Sequence, residues 1–206
     1  MQPGSKRLVG IISVLAFFFA VLAVWVAPVD LQIGSSRTNI NHTISTATVD
    51  DPDALLVQRG VEIYLTASDQ PVVGDTMVRE LVAQLSRRLP VQRITLIEDP
   101  GMPHSDAPLI YFEIADSELT WTPLWANASM TVDVVYASDG DISWRNAASM
   151  IMGQDTPTVH ARGTIQLEDA SRGVFSFFGY RRHLGKALGD DLFKMMESPL
   201  FDPPGS

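Results

Sequence analysis

The sequence predicts an α+β protein in which an N-terminal transmembrane helix precedes a mostly antiparallel sheet with two helices packed on one face. Residues 8–27 form a long, uncharged apolar run. Two later segments carry apolar residues at helical spacing, and the remaining apolar segments are short and alternate with polar residues. A length of 206 residues suits one domain of ordinary size with an appendage.

Composition excludes several classes of protein. A hydrophobic share of 46% argues against a disordered chain, which lacks the apolar residues for a core. The net charge of −9 disfavours nucleic acid as a partner, because an acidic surface repels phosphates. The chain has no cysteine, so disulfides, thiolate metal sites and a lipid-modified cysteine anchor are excluded. We predict no metal site and no cofactor.

The first element is the apolar run at residues 8–27, in which Ser13 is the only conventional polar side chain. A helix of 20 residues spans roughly 30 Å, which is the thickness of the hydrocarbon layer. Lys6 and Arg7 precede the run, so the positive-inside rule makes residues 1–7 a cytoplasmic stub and places the rest outside the cytoplasm. The alternative is a signal peptide cleaved after Ala23, which would release a secreted protein.

Residues 28–57 are rich in Ser, Thr and Asn, and we interpret them as a polar linker. Part of this segment has the alternative of pairing as an edge strand, because Ile and Thr favour strands. The extracytoplasmic α+β domain is predicted over residues 58–198, followed by a tail at 199–206.

The domain begins with a strand at 61–65, after which Asp75 or Thr76 is expected to N-cap a helix. Apolar residues recur through that helix at offsets of 3, 4, 7 and 11 until Pro90 ends it. Strands follow at 94–98, 109–115, 130–136, 142–145 and 158–167. Pro123 predicts an irregular or bulged stretch at 120–126, and Asp139-Gly140 predicts a tight turn.

The last helix has apolar residues from Tyr180 to Met196 at helical spacing and ends at Pro199. Gly185 and Gly189 lie four residues apart within it. They are either tolerated glycines in a packed amphipathic helix or places where a neighbouring backbone approaches closely.

The sequence contains no recognisable catalytic motif. His104 and Asp106 are two residues apart in a predicted loop and His160 lies in a strand, but no His-x-x-x-His pair, nucleophile elbow or phosphate-binding loop occurs. We therefore predict a protein that is not an enzyme. The alternatives are an exported hydrolase that uses His104, Asp106, His160 and nearby acids, or a ligand-binding sensory domain that uses the uncovered face of the sheet.

Two aromatic segments are the candidate contact surfaces. One surrounds Pro123, and the other precedes the last helix and is flanked by basic residues that include Arg172 and Lys186. Exposed aromatic and basic side chains would suit a partner protein or an anionic membrane surface, whereas core packing is the alternative. The candidate partner-binding residues are Trp121, Trp125, Phe175, Phe177, Phe178, Tyr180, Arg181 and Arg182.

The layout of residues 58–145 resembles small accessory domains of the bacterial envelope. These are the activator lipoproteins of penicillin-binding proteins, the N-terminal domain of the Tol translocation protein, and lipopolysaccharide-assembly lipoproteins. The segment Val132–Trp144, VDVVYASDGDISW, is similar to a hairpin of such a sheet. The resemblance implies a small α+β layer that assists a larger assembly. It implies no site residue here.

Together these observations predict a single-pass membrane protein that contacts lipid through residues 8–27. Its extracytoplasmic domain is expected to bind a protein partner as a non-enzymatic accessory or assembly subunit of a membrane or envelope complex.

Overall fold

A mostly antiparallel sheet forms the centre of the fold, as the strand pattern predicts. The structure is a computed structural model. It describes residues 3–26, 28–46, 58–65, 69–88, 91, 93–97, 107–137 and 159–200. In chain order the elements are α1 (Pro3–Val26), β1 (Gln32–Thr46), β2 (Val61–Leu65), α2 (Pro71–Arg88), β3 (Ile94–Ile97), β4 (Leu109–Trp121), β5 (Trp125–Ala137), β6 (Val159–Phe175) and α3 (Phe177–Leu200).

Within these residues the sheet has the strand order β1-β6-β5-β4-β2-β3. The three pairs formed by β1, β6, β5 and β4 are antiparallel, whereas β2 runs parallel to both β4 and β3. The strand β2, the helix α2 and the strand β3 therefore form a parallel crossover unit at one edge. The α+β class and the mostly antiparallel sheet are confirmed.

One face of the sheet is the core face, because its side chains and those of α2 and α3 form a single buried cluster. Met130, Val132, Val134 and Tyr136 point into this cluster from β5, as their alternation predicts. The opposite side of the sheet carries a smaller buried cluster, Leu109, Tyr111, Val135 and Ala137, at the end where β4 begins and β5 ends. We call the rest of that side the open face. Over β1, β5 and β6 its positions are mainly polar, for example Arg37, Asn127 and Glu168.

The polar-linker prediction for residues 28–57 is wrong over β1. All fifteen residues of β1 pair with β6, so the backbone groups on that side of β1 have hydrogen-bond partners in a long neighbouring strand. Ile40 and Ile44 pack against the core cluster. The polar side chains between them face solvent or a hydrogen-bonded network, and the edge-strand alternative is the correct one.

The helix α2 begins at Pro71, earlier than the N-cap predicted at Asp75 or Thr76. The Gly74 N–H donates to the Gln70 carbonyl at 3.0 Å, so the first turn already exists there. Proline suits this position, because its missing N–H has no partner in the first turn of any helix. Thr76 lies inside the helix and donates its hydroxyl to the Val72 carbonyl at 2.8 Å.

The strands β4, β5 and β6 are longer than predicted. Pro123 does not disrupt a strand, because it lies in the tight connection between β4 and β5, where the Thr122 N–H donates to the Trp125 carbonyl at 2.8 Å. The register shift in this hairpin falls between Ile114 and Asp116 instead. The predicted turn at Asp139-Gly140, the strand at 142–145 and the tail from residue 201 lie outside the described residues.

Gly185 and Gly189 of α3 allow α2 to approach closely. A Cβ atom on Gly185 would lie 2.5 Å from the Val73 carbonyl oxygen, and one on Gly189 would lie 2.6 Å from that of Met77. Both distances are shorter than a van der Waals contact allows. Of the two interpretations of these glycines, close backbone approach is therefore the correct one.

Candidate functional site

The aromatic segments divide between the core and the surface. Phe175 is 2% exposed and Tyr180 is fully buried, with their ring centroids 5.9 Å apart. Phe175 is the last residue of β6 on the core face, and Tyr180 lies on the inward side of α3. Direct contact of these two rings with a partner is therefore a wrong prediction, because packing already uses them.

A half-buried group lies beside them at the start of α3. The Trp121 ring meets Phe177 edge-on with 5.6 Å between centroids, and the Arg181 guanidinium lies 5.2 Å from the Phe177 centroid. Burial lowers the pKa of Arg181 from its usual value. Arg182 lies 5.8 Å from the Phe178 centroid. Partner contact by Trp121, Phe177, Phe178, Arg181 and Arg182 stays a prediction.

Trp125 is the most exposed of the predicted aromatic residues, at 44%, and it belongs to a wider surface. We call this surface the apolar end patch and define it as Val29, Ile33, Leu124, Trp125 and Val174, all exposed. On the open face, Ile33 of β1 pairs with Val174 of β6. Trp125 of β5 pairs with Arg172, which precedes Val174 by two residues on β6. The Gly173 N–H donates to the Leu124 carbonyl at 2.9 Å, which holds the β4–β5 turn against the same end of β6.

A polar groove continues along the open face beyond this patch. Its volume is about 650 Å³, and it crosses β1, β6, β5 and β4. Its lining includes Arg37, Asn39, Glu118, Asn127 and Glu168. Side chains of both charges and two amides face the groove, so it suits a polar protein segment better than an apolar small molecule.

A buried carboxylate connects the sheet to α3. Asp169 points from β6 into the core, and its side chain is fully inaccessible to solvent. Thr38 donates its hydroxyl to Asp169 Oδ1 at 2.7 Å, and Tyr180 donates to Oδ2 at 2.9 Å. Ser171 Oγ lies 2.8 Å from Oδ2, and His183 Nε2 lies 3.2 Å from Oδ1.

These contacts determine the ionisation of Asp169. Burial by itself raises the pKa of a carboxyl group, because the charged form loses its water. The hydrogen bond from His183, followed by those from Thr38, Ser171 and Tyr180, outweighs burial and lowers the pKa of Asp169. Burial and then the nearby Asp169 charge raise the pKa of Tyr180. The carboxylate therefore stays ionised and the phenol stays protonated at neutral pH.

This cluster has the residue types of a catalytic triad but lacks its geometry. A relay needs a histidine that holds the carboxylate with one ring nitrogen and the nucleophile with the other. Here Asp169 and the Thr38 hydroxyl both contact Nε2 of His183, the latter at 3.3 Å. Ser171 contacts the carboxylate directly. We interpret the cluster as a structural network that fixes α3 on β1 and β6.

Asp169, His183 and Thr38 are not among the site residues predicted from the sequence. Ile165, Leu167 and Phe175 identify the odd-numbered positions of β6 as the core face, and Asp169 is a charged residue in that series. An acid at an inward position indicates a buried hydrogen-bonding network. The strand predicted from the sequence ends at residue 167, so Asp169 lies beyond its predicted core face.

Two further ion pairs involve charged residues of α3. His42 Nδ1 of β1 lies 3.1 Å from Asp191 of α3, and Lys194 pairs with Asp190 at 2.8 Å. The Asp190 hydrogen bond raises the pKa of Lys194. His160 lies in β6, whereas His104 and Asp106 lie outside the described residues. In the part of the chain that the structure describes, no three His, Asp or Glu side chains gather as they would around a metal ion.

The helix α1 carries exposed apolar side chains. Every residue from 10 to 22 is exposed, with Phe17 at 73%. Among the described residues, no helix meets the length and hydropathy required to cross a membrane.

Comparison with known proteins gives a distant structural likeness. No protein-family model matches the sequence, and no curated protein matches it significantly. The structure is similar to that of rare lipoprotein B from Shewanella oneidensis, with a TM-score of 0.34, 12% sequence identity, and coverage of 66% of this chain and 94% of that chain. A likeness this distant concerns the general arrangement of helices and strands and does not extend to function.

Proposed function

We propose that this chain is a single-pass membrane protein whose extracytoplasmic α+β domain binds a protein partner as a non-enzymatic accessory subunit of an envelope complex. The exposure of α1 is the observation that supports it. Isoleucine, leucine, valine and phenylalanine side chains between residues 11 and 22 are 36% to 73% exposed, on all sides of the helix. A helix that is apolar all round is stable only when it is buried, and a bilayer would bury it.

The apolar run supports insertion across the whole bilayer. Residues 8–27 contain no charge, and Lys6 and Arg7 stand on the expected cytoplasmic side. Removing each Phe or Leu side chain from water contributes roughly 1.5–3 kcal/mol, so the five such residues of α1 at positions 15–22 contribute on the order of 10 kcal/mol. This free energy favours stable anchoring.

The polar groove of the open face is the proposed site for the partner. It offers side chains of both charges beside amides, and no element among the described residues covers it. A groove of this kind suits an interface that relies on hydrogen bonds and charge complementarity.

Two measurements on the full chain in its native membrane test the proposal. Alkaline carbonate extraction should leave the protein in the membrane fraction, and protease added from the outside should degrade the domain. Release into the supernatant would show that residues 8–27 do not anchor it. For the partner, a photo-crosslinking residue at Asn127 in the groove should capture a discrete protein, whereas one at the exposed Ser86 of α2 should not. Equal labelling at both positions would contradict a site in the groove.

A further inference from the structure

We infer that the apolar end patch rests in the headgroup region of the bilayer and holds the domain against the membrane surface in a defined orientation. The inference rests on the proposed anchoring by α1. It adds a second membrane contact, which is made by the sheet. The apolar end patch would bind lipid.

The chain contacts the domain within a few residues of the end of α1. The Ser176 hydroxyl donates to the Val29 carbonyl, and the Ser176 N–H donates to the Leu31 carbonyl at 3.0 Å. The Leu31 N–H lies 3.3 Å from Ser176 Oγ. Arg182 also pairs with Asp30 at 3.0 Å. Residues 29–31 are thus held at the start of α3.

This attachment limits the distance between α1 and the patch. Only Ala27 and Pro28 separate Val26, the last residue of α1, from Val29. Three fully extended residue steps span about 10 Å, so Val29 lies within that distance of the helix end. The headgroup layer on each side of a bilayer is about 5–8 Å thick. If α1 ends at the hydrocarbon boundary, Val29 must lie in or next to the headgroups.

The rest of the patch lies close to Val29. Ile33 is four residues further along, and two strand spacings of about 5 Å each separate its strand β1 from β5, which carries Trp125. Trp125 adds an exposed indole, a side chain that favours the membrane interface. Arg172 lies between Trp125 and Ser35 on the open face and is exposed, so a cation is available for lipid phosphate.

The apolar end patch is more apolar than the rest of the open face. Ile33 and Leu124 are each 65% exposed and Val174 is 47% exposed, whereas the same face carries the polar groove further from α1. Along β1 the open face thus changes from apolar at Ile33 to polar at Arg37 and Asn39, which lie further along the chain from α1. This gradient matches the change from headgroups to water and favours lipid over a protein as the occupant.

Site-directed spin labelling tests the inference on the full chain, since the absence of cysteine allows single labels without other changes. Ile33→Cys and Val174→Cys report the patch independently. Leu96→Cys is the matched control, because Leu96 is 62% exposed on β3, at the opposite edge of the sheet from β1. Phe18→Cys reports the insertion of α1. The probes are vesicles of phosphatidylcholine and phosphatidylglycerol, with oxygen and a water-soluble nickel complex as relaxation agents.

The expected result is a graded depth. The Phe18 label should be relaxed by oxygen and protected from nickel, the Ile33 and Val174 labels should give intermediate values, and the Leu96 label should be fully accessible to nickel. Full nickel access at Ile33 and Val174 with a protected Phe18 would overturn the inference while leaving the anchor in place. It would point to a protein as the occupant of the patch. Nickel access at Phe18 would overturn the proposed function and this inference together.

Discussion

Replacing Gly185 with alanine tests whether α2 and α3 are in backbone contact. The new Cβ atom would lie 2.5 Å from the Val73 carbonyl oxygen, 2.6 Å from the Thr76 Cβ and 3.1 Å from the Met77 amide nitrogen. Two of these three atoms belong to the backbone and the third to the first atom of a side chain. A change of rotamer therefore cannot relieve the overlap, and the helices must separate.

Two opposing effects determine the magnitude. Alanine in place of glycine inside a helix is worth about 1 kcal/mol of stability by propensity alone. Overpacking by one methyl group costs about 1–3 kcal/mol, and a rigid backbone neighbour favours the upper end of that range. We expect Gly185→Ala to lower the free energy of unfolding by about 2 kcal/mol, which corresponds to a fall in Tm of roughly 4–8 °C.

The measurement is urea and thermal unfolding of the full chain in detergent, monitored by tryptophan fluorescence. Lys186→Ala is the matched control, because Lys186 is the next residue of α3 and is exposed, and it should change stability by less than about 0.5 kcal/mol. A Gly185→Ala variant that is as stable as the parent, or more stable, would refute the close approach. Gly185→Ala combined with Gly189→Ala should cost less than the sum of the single changes, because one separation of the helices relieves both overlaps.

Three further changes test the contacts that hold the sheet, α3 and the start of β1 together. Ser176 caps α3, because its hydroxyl oxygen accepts a hydrogen bond from the Gly179 N–H at 2.9 Å. Ser176→Ala removes this cap and should lower the free energy of unfolding in urea by about 1–2 kcal/mol. Asp169→Asn places an amide among hydroxyl donors in the core and should cost about 3 kcal/mol. Because the pKa of Asp169 is below its ordinary value of 3.8, its contribution to stability is complete above that pH and is lost as the pH falls through the lower folded-state value. Gly173→Ala would put a Cβ atom 2.2 Å from the Ile33 carbonyl oxygen at a φ of 148°, and it should cost about 2–3 kcal/mol by thermal unfolding.

Each of these predictions has a contradicting outcome. A Ser176→Ala chain with unchanged stability would mean that the hydroxyl does not cap α3. If Asp169→Asn and its parent lost stability in parallel between pH 5 and pH 2, the titration of Asp169 would not contribute to acid unfolding. A neutral Gly173→Ala would show that β1 and β6 are not held at the register in which Gly34 faces Gly173.

Periodicity was a reliable guide wherever one side of an element is buried. The alternation from Met130 to Tyr136 and the helical spacing of Leu184, Leu188 and Leu192 predicted elements that the structure contains. Prediction was wrong where the partner of a segment is remote in sequence. Nothing local in β1 distinguishes a linker from an edge strand, because its backbone hydrogen bonds are made to β6, more than 110 residues away.

The candidate site shows the same division. The sequence selected Trp125, which is exposed, but it grouped Trp125 with Phe175 and Tyr180, which are core residues. It did not select Ile33, Val29 or Val174, because an isolated aliphatic residue in a polar segment carries no signal. They become a surface only when β1 and β6 lie side by side and bring them together.

The sequence by itself determined the properties that depend on composition and spacing. These are the uncharged apolar run, the absence of cysteine chemistry, the α+β class, and the amphipathic faces of α2 and α3. Only the tertiary structure decided where Asp169 points, how closely Gly185 approaches α2, and that Ser176 ties the start of β1 to α3. The physical reason is that burial and hydrogen bonding between distant segments depend on the register of the sheet, and register is a property of the whole fold.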